Sequence, residues 1–240
     1  MHSPFVFNFI LDVLNNRQQL YPPIEIEKLR KQLVKNKEVL QIEDMGAGSR
    51  VSATKERTVS QLARTAVKPE KYSQLFYRLV KKYKPETIVE LGTSLGITTA
   101  YLATASPTAT IVTIEGSSEI QKIAQQNFMH LGLPNIRSMQ GDFDEVLPVI
   151  TGQLTTVNLA YIDGNHRYAP TMNYFFQFLE KMNNDTILVF DDIHWSAEME
   201  QAWQEIKQHP AVRCTIDIFF LGFVFFKKEF KHKQHFTIRF

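Results

Sequence analysis

The chain has one cysteine, Cys214, which excludes an internal disulfide framework and any multi-cysteine metal site. Its longest apolar run, Ile218 to Phe226, is far short of the roughly 20 residues a membrane helix needs. The opening Met1-His2-Ser3-Pro4 lacks the basic start of a signal peptide. Neither sign of charge dominates: 27 basic and 25 acidic side chains give a net +2, too little to make nucleic acid or an anionic membrane the main partner. Repeats, long linkers and biased tracts are also missing. These absences point to a cytoplasmic globular protein, and 240 residues, 44% apolar and 22% charged, suffice for one full domain and a smaller appendage.

Helical patterns come first. Ser3 followed by Pro4 reads as an N-cap with proline at the first helical position of a helix over Phe5 to Leu14. Ile24 to Val34 and Lys55 to Ala66 are further candidate helices, with the glycine-broken stretch Asp44 to Arg50 as a loop between them. Tyr72, Leu75, Phe76, Leu79, Val80 and Tyr83 recur at helical spacing and end at Lys84-Pro85. Beyond Pro85, strand-like runs alternate with helices, the pattern of a parallel sheet covered on both faces. The strands are expected at Thr87 to Leu91, Thr110 to Glu115, Ile136 to Gln140, Val157 to Asp163 and Thr186 to Asp191. Ser118 with Gln121 reads as a capping box for the helix after the second of them. Thr215 to Phe220 and Phe223 to Lys228 read as an antiparallel hairpin meeting at Leu221-Gly222, and His235 to Phe240 as a strand with no obvious partner. The expectation is a three-layer, Rossmann-like α/β fold with a mostly parallel seven-stranded sheet and a C-terminal antiparallel hairpin.

In such a sheet, ligands bind beyond the carboxyl ends of the strands. The first strand ends in Glu90-Leu-Gly92-Thr93-Ser94-Leu-Gly96-Ile-Thr98, whose glycines let backbone pass close to a ligand while the next helix presents free N–H groups. Its spacing is not G-x-G-x-x-G, which disfavours a nicotinamide dehydrogenase. Glu115 closes the second strand, 23 residues beyond Gly92, where an acid can accept hydrogen bonds from ribose hydroxyls. Together they imply a nucleoside.

Glu90-x-Gly92-x-x-x-Gly96, Glu115, Gly141-Asp142 and Asp163 resemble the successive motifs of class I S-adenosylmethionine-dependent methyltransferases, over about Glu70 to Lys228. Within that class the chain is most similar to catechol-type small-molecule O-methyltransferases, through the helix before the first strand, Gly141 to Pro148, and Tyr161-Ile-Asp163-Gly-Asn-His166. The resemblance implies that Gly92, Thr93, Ser94, Gly96 and Thr98 line the methionine part of S-adenosylmethionine, with Glu90 supporting the loop. It places Glu115 and Gly116 at the ribose, and Gly141, Asp142 and Phe143 at the adenine. Residues 1–66 become an N-terminal helical cap region and residues 67–240 the cofactor-binding methyltransferase domain.

The resemblance implies methyl transfer to a hydroxyl of a small molecule. His166 stands where the catechol-type relatives place a lysine base, and an imidazole can take a hydroxyl proton near neutral pH. Asp163 lies beside cofactor and acceptor, and with Asp191 and Asp192 offers oxygen ligands for a Mg²⁺-like cation. Asp192 departs from the asparagine of the catechol-type pattern. His194 and Trp195 read as pocket wall or packing. Two other readings are an RNA or protein acceptor, drawing on the basic stretches Arg50 to Lys68 and Lys227 to Arg239, and a non-catalytic nucleoside-binding module of the same fold.

Overall fold

A computed structural model describes residues 3–16, 24–42 and 56–240. The glycine-broken stretch at 44–50 and the expected helix start at 55 lie outside the described residues. Helix α1 (Pro4–Phe9) runs into a π-helical turn, Ile10–Leu14, with Pro4 in its first turn; Ser3 precedes it without a side-chain cap bond. The end of that turn is held by Arg78, buried on a later helix, whose Nε donates to the Val13 carbonyl (2.5 Å) and Nη2 to that of Leu14 (3.3 Å). A guanidinium thus satisfies carbonyls that a helix end leaves open. Helix α2 (Ile24–Leu33) follows, then a short antiparallel ribbon of β1 (Val39–Gln41) and β2 (Glu56–Thr58). Helix α3 spans Val59–Thr65, shorter than expected because the chain is paired in β2 up to Thr58, which closes a capping box with Gln61. The amphipathic helix is α4 (Glu70–Tyr83).

The remaining elements alternate: β3 (Thr87–Leu91), α5 (Ile97–Ala105), β4 (Thr110–Glu115), α6 (Ser118–His130), β5 (Ile136–Gln140), α7 (Phe143–Gln153), β6 (Leu159–Ile162), α8 (Tyr168–Leu179), β7 (Ile187–Asp191) and α9 (Ala197–Gln208). Three strands close the chain: β8 (Cys214–Asp217), β9 (Leu221–Phe225) and β10 (Gln234–Thr237). The main sheet runs β10-β8-β9-β7-β6-β3-β4-β5. It is parallel except for β9, which lies antiparallel between β7 and β8. Its order reverses between β3 and β6, the switch point that opens a crevice at the carboxyl ends of both strands.

One core face packs Ile88, Ile111, Tyr161 and Phe223 with α1 to α6; the other packs Val89, Val112, Ala160 and Phe190 with α7, α8 and α9. The N-terminal segment joins the first face directly, with the Phe9 ring edge-on to Phe223 at 5.2 Å.

Three local expectations are corrected. The sheet has eight strands, because β10 pairs in parallel with β8, assisted by a Thr215–His235 side-chain hydrogen bond of 2.9 Å. The hairpin turns at Ile218 to Phe220, where Ile218 N–H donates to the Leu221 carbonyl, and Gly222 lies inside β9. A Cβ there would stand 2.6 Å from the Trp203 ring, so the glycine serves close packing. The cap of α6 is Ser117, one residue before the expected Ser118, its hydroxyl accepting from Ile120 N–H.

Candidate active site at the β3/β6 crevice

The crevice is walled by the segments after β3, β4, β5, β6 and β7. Gly92 has φ +97°, and a Cβ on it would lie 2.1 Å from the Asp163 carbonyl oxygen. Only a residue without a side chain lets the segments leaving β3 and β6 run this close. Ser94 also has positive φ (48°), and its N–H donates to Glu115 Oε2 at 2.8 Å, so the first loop is tied to the carboxylate ending β4. Glu115 Oε1 accepts from Ser117 N–H at 3.1 Å. Burial raises the pKa of Glu115, against the backbone hydrogen bonds of Ser117, Ser94 and Gly116, which favour the ionised form. Gly96, at φ +79°, caps α5 and accommodates Phe128, and Thr98 is buried in the first turn of that helix. The Thr93 hydroxyl turns to Thr113 (2.6 Å), so its side chain belongs to the support beneath the loop.

That support centres on Glu90, fully buried in β3, whose Oε2 accepts from the hydroxyls of Thr99 (2.5 Å) and Thr113 (2.7 Å). Among the described residues, Glu90 Oε1 and Ser94 Oγ are buried without a hydrogen-bond partner. Burial pushes the Glu90 pKa up to about 8, against the two threonine hydrogen bonds. Because the folded state then holds a proton that the unfolded state releases near 4.5, Glu90 makes stability fall as pH rises from about 4.5 to about 8. Glu90→Gln is expected to remove about 2–4 kcal/mol of that fall, read as denaturant midpoints against pH for both proteins. Equal slopes would place Glu90 in its ordinary carboxylate range.

On the β5 side, Gly141 has φ +143° and its N–H donates to the Glu115 carbonyl (3.0 Å). Asp142 is the N-cap of α7, its Oδ1 accepting from Asp144 N–H at 2.8 Å. Phe143 lies against Gly164, where a Cβ would meet the ring at 2.5 Å, and edge-on to Tyr174 at 6.0 Å. Gly164 therefore lets Phe143 pack against the loop that carries Asp163 and His166.

The third wall gathers the acids. The Tyr161 hydroxyl donates to Asp163 Oδ2 (2.8 Å) and to the fully buried Asp191 (Oδ2, 3.0 Å). The Lys68 ammonium, from the segment between α3 and α4, is ion-paired with the same Asp191 oxygen. Asp163 is pushed up by burial, but Lys68, the hydrogen bond with Asp191, His166 and the Tyr161 phenol together outweigh this and hold its carboxyl below the usual range; Asp191 is driven well above it by burial and then by the Asp163 charge. His166 Nε2 lies 3.6 Å from Asp163 Oδ1 and 4.0 Å from Asp192 Oδ2, its side chain about one-fifth exposed.

The expected metal ligands are therefore neighbours, but their oxygens do not fit a divalent cation. The Asp191 oxygen facing Asp163 carries a lysine ammonium and a phenol O–H, and Asp163 Oδ2 accepts from the same phenol. Among the described residues no group of three carboxylate, imidazole or thiol side chains has metal-holding geometry. His194 bonds Asp217 (2.9 Å) and packs against Phe219, the structural part expected of it. Lys68 and Tyr161 were not singled out from the sequence as site residues. Tyr161, two residues before Asp163 on the same strand face, could have been found by the period-2 rule; Lys68 carries no such signal.

Fold and crevice together define a Rossmann-like α/β domain with a ligand crevice at its switch point. Residues 89–193 match a family model described as a methyltransferase domain. The fold is similar to that of the O-methyltransferase from Bacillus cereus in complex with SAH, with a TM-score of 0.58, 17% identity, and 92% of this chain and 97% of that one covered. It is also similar to the SAH-bound methyltransferase PaMTH1 of Podospora anserina (TM-score 0.61, 12% identity, 89% and 100% covered). A third similar structure is the O-methyltransferase TomG of Streptomyces achromogenes, involved in tomaymycin synthesis, in complex with SAM (0.58, 16% identity, 68% and 82% covered). No curated protein matches the sequence. Among the described residues no helix is long and apolar enough to cross a membrane.

Proposed function

We propose that the protein transfers a methyl group from S-adenosylmethionine to a hydroxyl of a small molecule. The observation that carries this is the close approach of Gly92 to Asp163 at the switch point, with Glu115 tied to the same loop. The donor set fits the cofactor: Glu115 has acceptor capacity left for ribose hydroxyls, and the unpartnered Glu90 Oε1 and Ser94 Oγ suit a ligand with an ammonium and polar oxygens. Gly92, the Thr93 backbone, Ser94, Gly96 and Thr98 form the methionine side, Glu115 and Gly116 the ribose side, and Gly141, Asp142 and Phe143 the adenine side. When bound, the cofactor supplies an electrophilic methyl on a sulfonium.

The chain's own task is to hold a hydroxyl in line with that methyl and to take its proton. His166 accepts the proton, and the resulting imidazolium lies beside Asp163 and Asp192, whose carboxylates stabilise it. Asp163 positions both imidazole and acceptor. At the rim, Tyr72 packs edge-on to Phe220 (6.0 Å) and Phe219 to Phe220 (5.0 Å), both phenylalanines exposed, an apolar wall suited to a small acceptor. We further place the boundary between an N-terminal helical cap region and the cofactor domain at about residue 66, outside the matched segment 89–193. The unpaired, buried Cys214 fits a cytoplasmic setting.

Calorimetry with S-adenosylmethionine tests the cofactor. One site per chain is expected, weakened about 10- to 100-fold in Glu115→Gln, which loses a charged acceptor. Tighter binding of NAD, or no effect of the substitution, would overturn the assignment.

A further inference from the structure

We infer that Lys68 is the resident cation of the acceptor site, its ammonium filling by charge and position the place that a divalent metal would take between Asp163 and Asp191. The inference rests on the methyl-transfer reading only for its consequence in turnover; the placement stands on the ion pair. Three half-buried or buried carboxylates, Asp163, Asp191 and Asp192, converge at the ends of β6 and β7, and such a concentration of like charge needs a partner. Lys68 provides it directly, contacting Asp191 with a side chain only one-fifth exposed. The Tyr161 phenol bridges the remaining gap by donating to both Asp163 and Asp191.

The backbone of Lys68 is fixed from behind. Arg30 Nη1 donates to the Lys68 carbonyl (2.6 Å) and Nη2 to Ser73 Oγ (2.9 Å), while Glu27 grips Arg30 Nε and accepts from the Tyr101 hydroxyl (2.6 Å). Pro69 then starts α4, with Ser73 N–H donating to its carbonyl. A surface lysine drifting onto an acid would show none of this anchoring. Lys68 stays protonated, since the Asp163 and Asp191 charges outweigh its burial, so it acts as a fixed positive charge and positions the carboxylates; the proton acceptor is another group. Placed there, it joins the Tyr161 phenol and His166 in favouring the ionised form of Asp163 without an ion drawn from solution.

Mn²⁺ titration of the full chain, followed by electron paramagnetic resonance, tests this without turnover. Wild type is expected to bind no stoichiometric Mn²⁺, whereas Lys68→Met, which keeps length and removes charge, opens the carboxylates to one ion with affinity about tenfold or more above wild type. One Mn²⁺ bound by wild type and lost in Asp191→Asn would overturn the inference, as would a folded Lys68→Met that gains no ion. Should Lys68→Met not fold, wild type decides: its thermal midpoint should be the same in chelator and in millimolar Mg²⁺, and an Asp191-dependent rise with Mg²⁺ overturns the inference. A protein that binds no S-adenosylmethionine would remove the functional reading and leave these ion measurements interpretable.

Discussion

His166→Ala should lower kcat by about two to four orders of magnitude while leaving the affinity for S-adenosylmethionine within about twofold of wild type. The separation follows from position. Ser94 follows β3 and Glu115 ends β4, both among the groups assigned to the cofactor, whereas His166 lies in the loop after β6, facing Asp163 and Asp192. Removing the imidazole deletes a proton acceptor and no cofactor contact. Steady-state rates, paired with calorimetry, check both the loss of kcat and the retained cofactor affinity. An unchanged kcat would remove His166 from the reaction, and a parallel loss of cofactor affinity would make it a binding residue.

What the sequence disclosed about this site follows from how local each signal is. Gly92 and Glu115 were legible because each ends a strand with a clear pattern, and a parallel sheet brings the ends of successive strands to one edge. The three aspartates were legible for the same reason. Their chemistry was not, because it depends on Lys68, whose carbonyl is fixed by Arg30 of α2, and nothing in the sequence between residues 30 and 68 marks the pairing. A metal was therefore expected where an ammonium stands. Gly222 misled for a related reason. A glycine between two strand-like runs reads as a turn, and only the ring of Trp203, 19 residues earlier in the chain, explains a glycine within the strand. The edge strand β10 was foreseen as a strand but not as a partner of β8, since its alternation is complete while parallel pairing leaves no local mark in the sequence.

The glycine at the switch point carries the second large effect. A methyl group on Gly92 would stand 2.1 Å from the Asp163 carbonyl oxygen and 3.1 Å from its carbon, so the obstacle is backbone that no rotamer change can move. Both segments are fixed: Asp163 N–H donates to the Leu91 carbonyl at 2.9 Å and Gly92 N–H to the Ile114 carbonyl at 3.0 Å. Relief requires parting β3 from β6 at the mouth of the crevice. The φ of +97° adds the penalty of a left-handed region that alanine rarely enters. Gly92→Ala is accordingly expected to destabilise the fold by ~3 kcal/mol or more and to weaken S-adenosylmethionine binding by more than about tenfold. Gly132→Ala supplies the comparison. It shares a positive φ of +65° but meets nothing within 4 Å, so it should lose only about 1 kcal/mol and keep full cofactor affinity. Denaturant unfolding and calorimetry on the two variants separate the clash from the backbone angle. Equal behaviour of the pair would mean that the approach of Gly92 to Asp163 does not shape the crevice, and the functional reading would lose its main support.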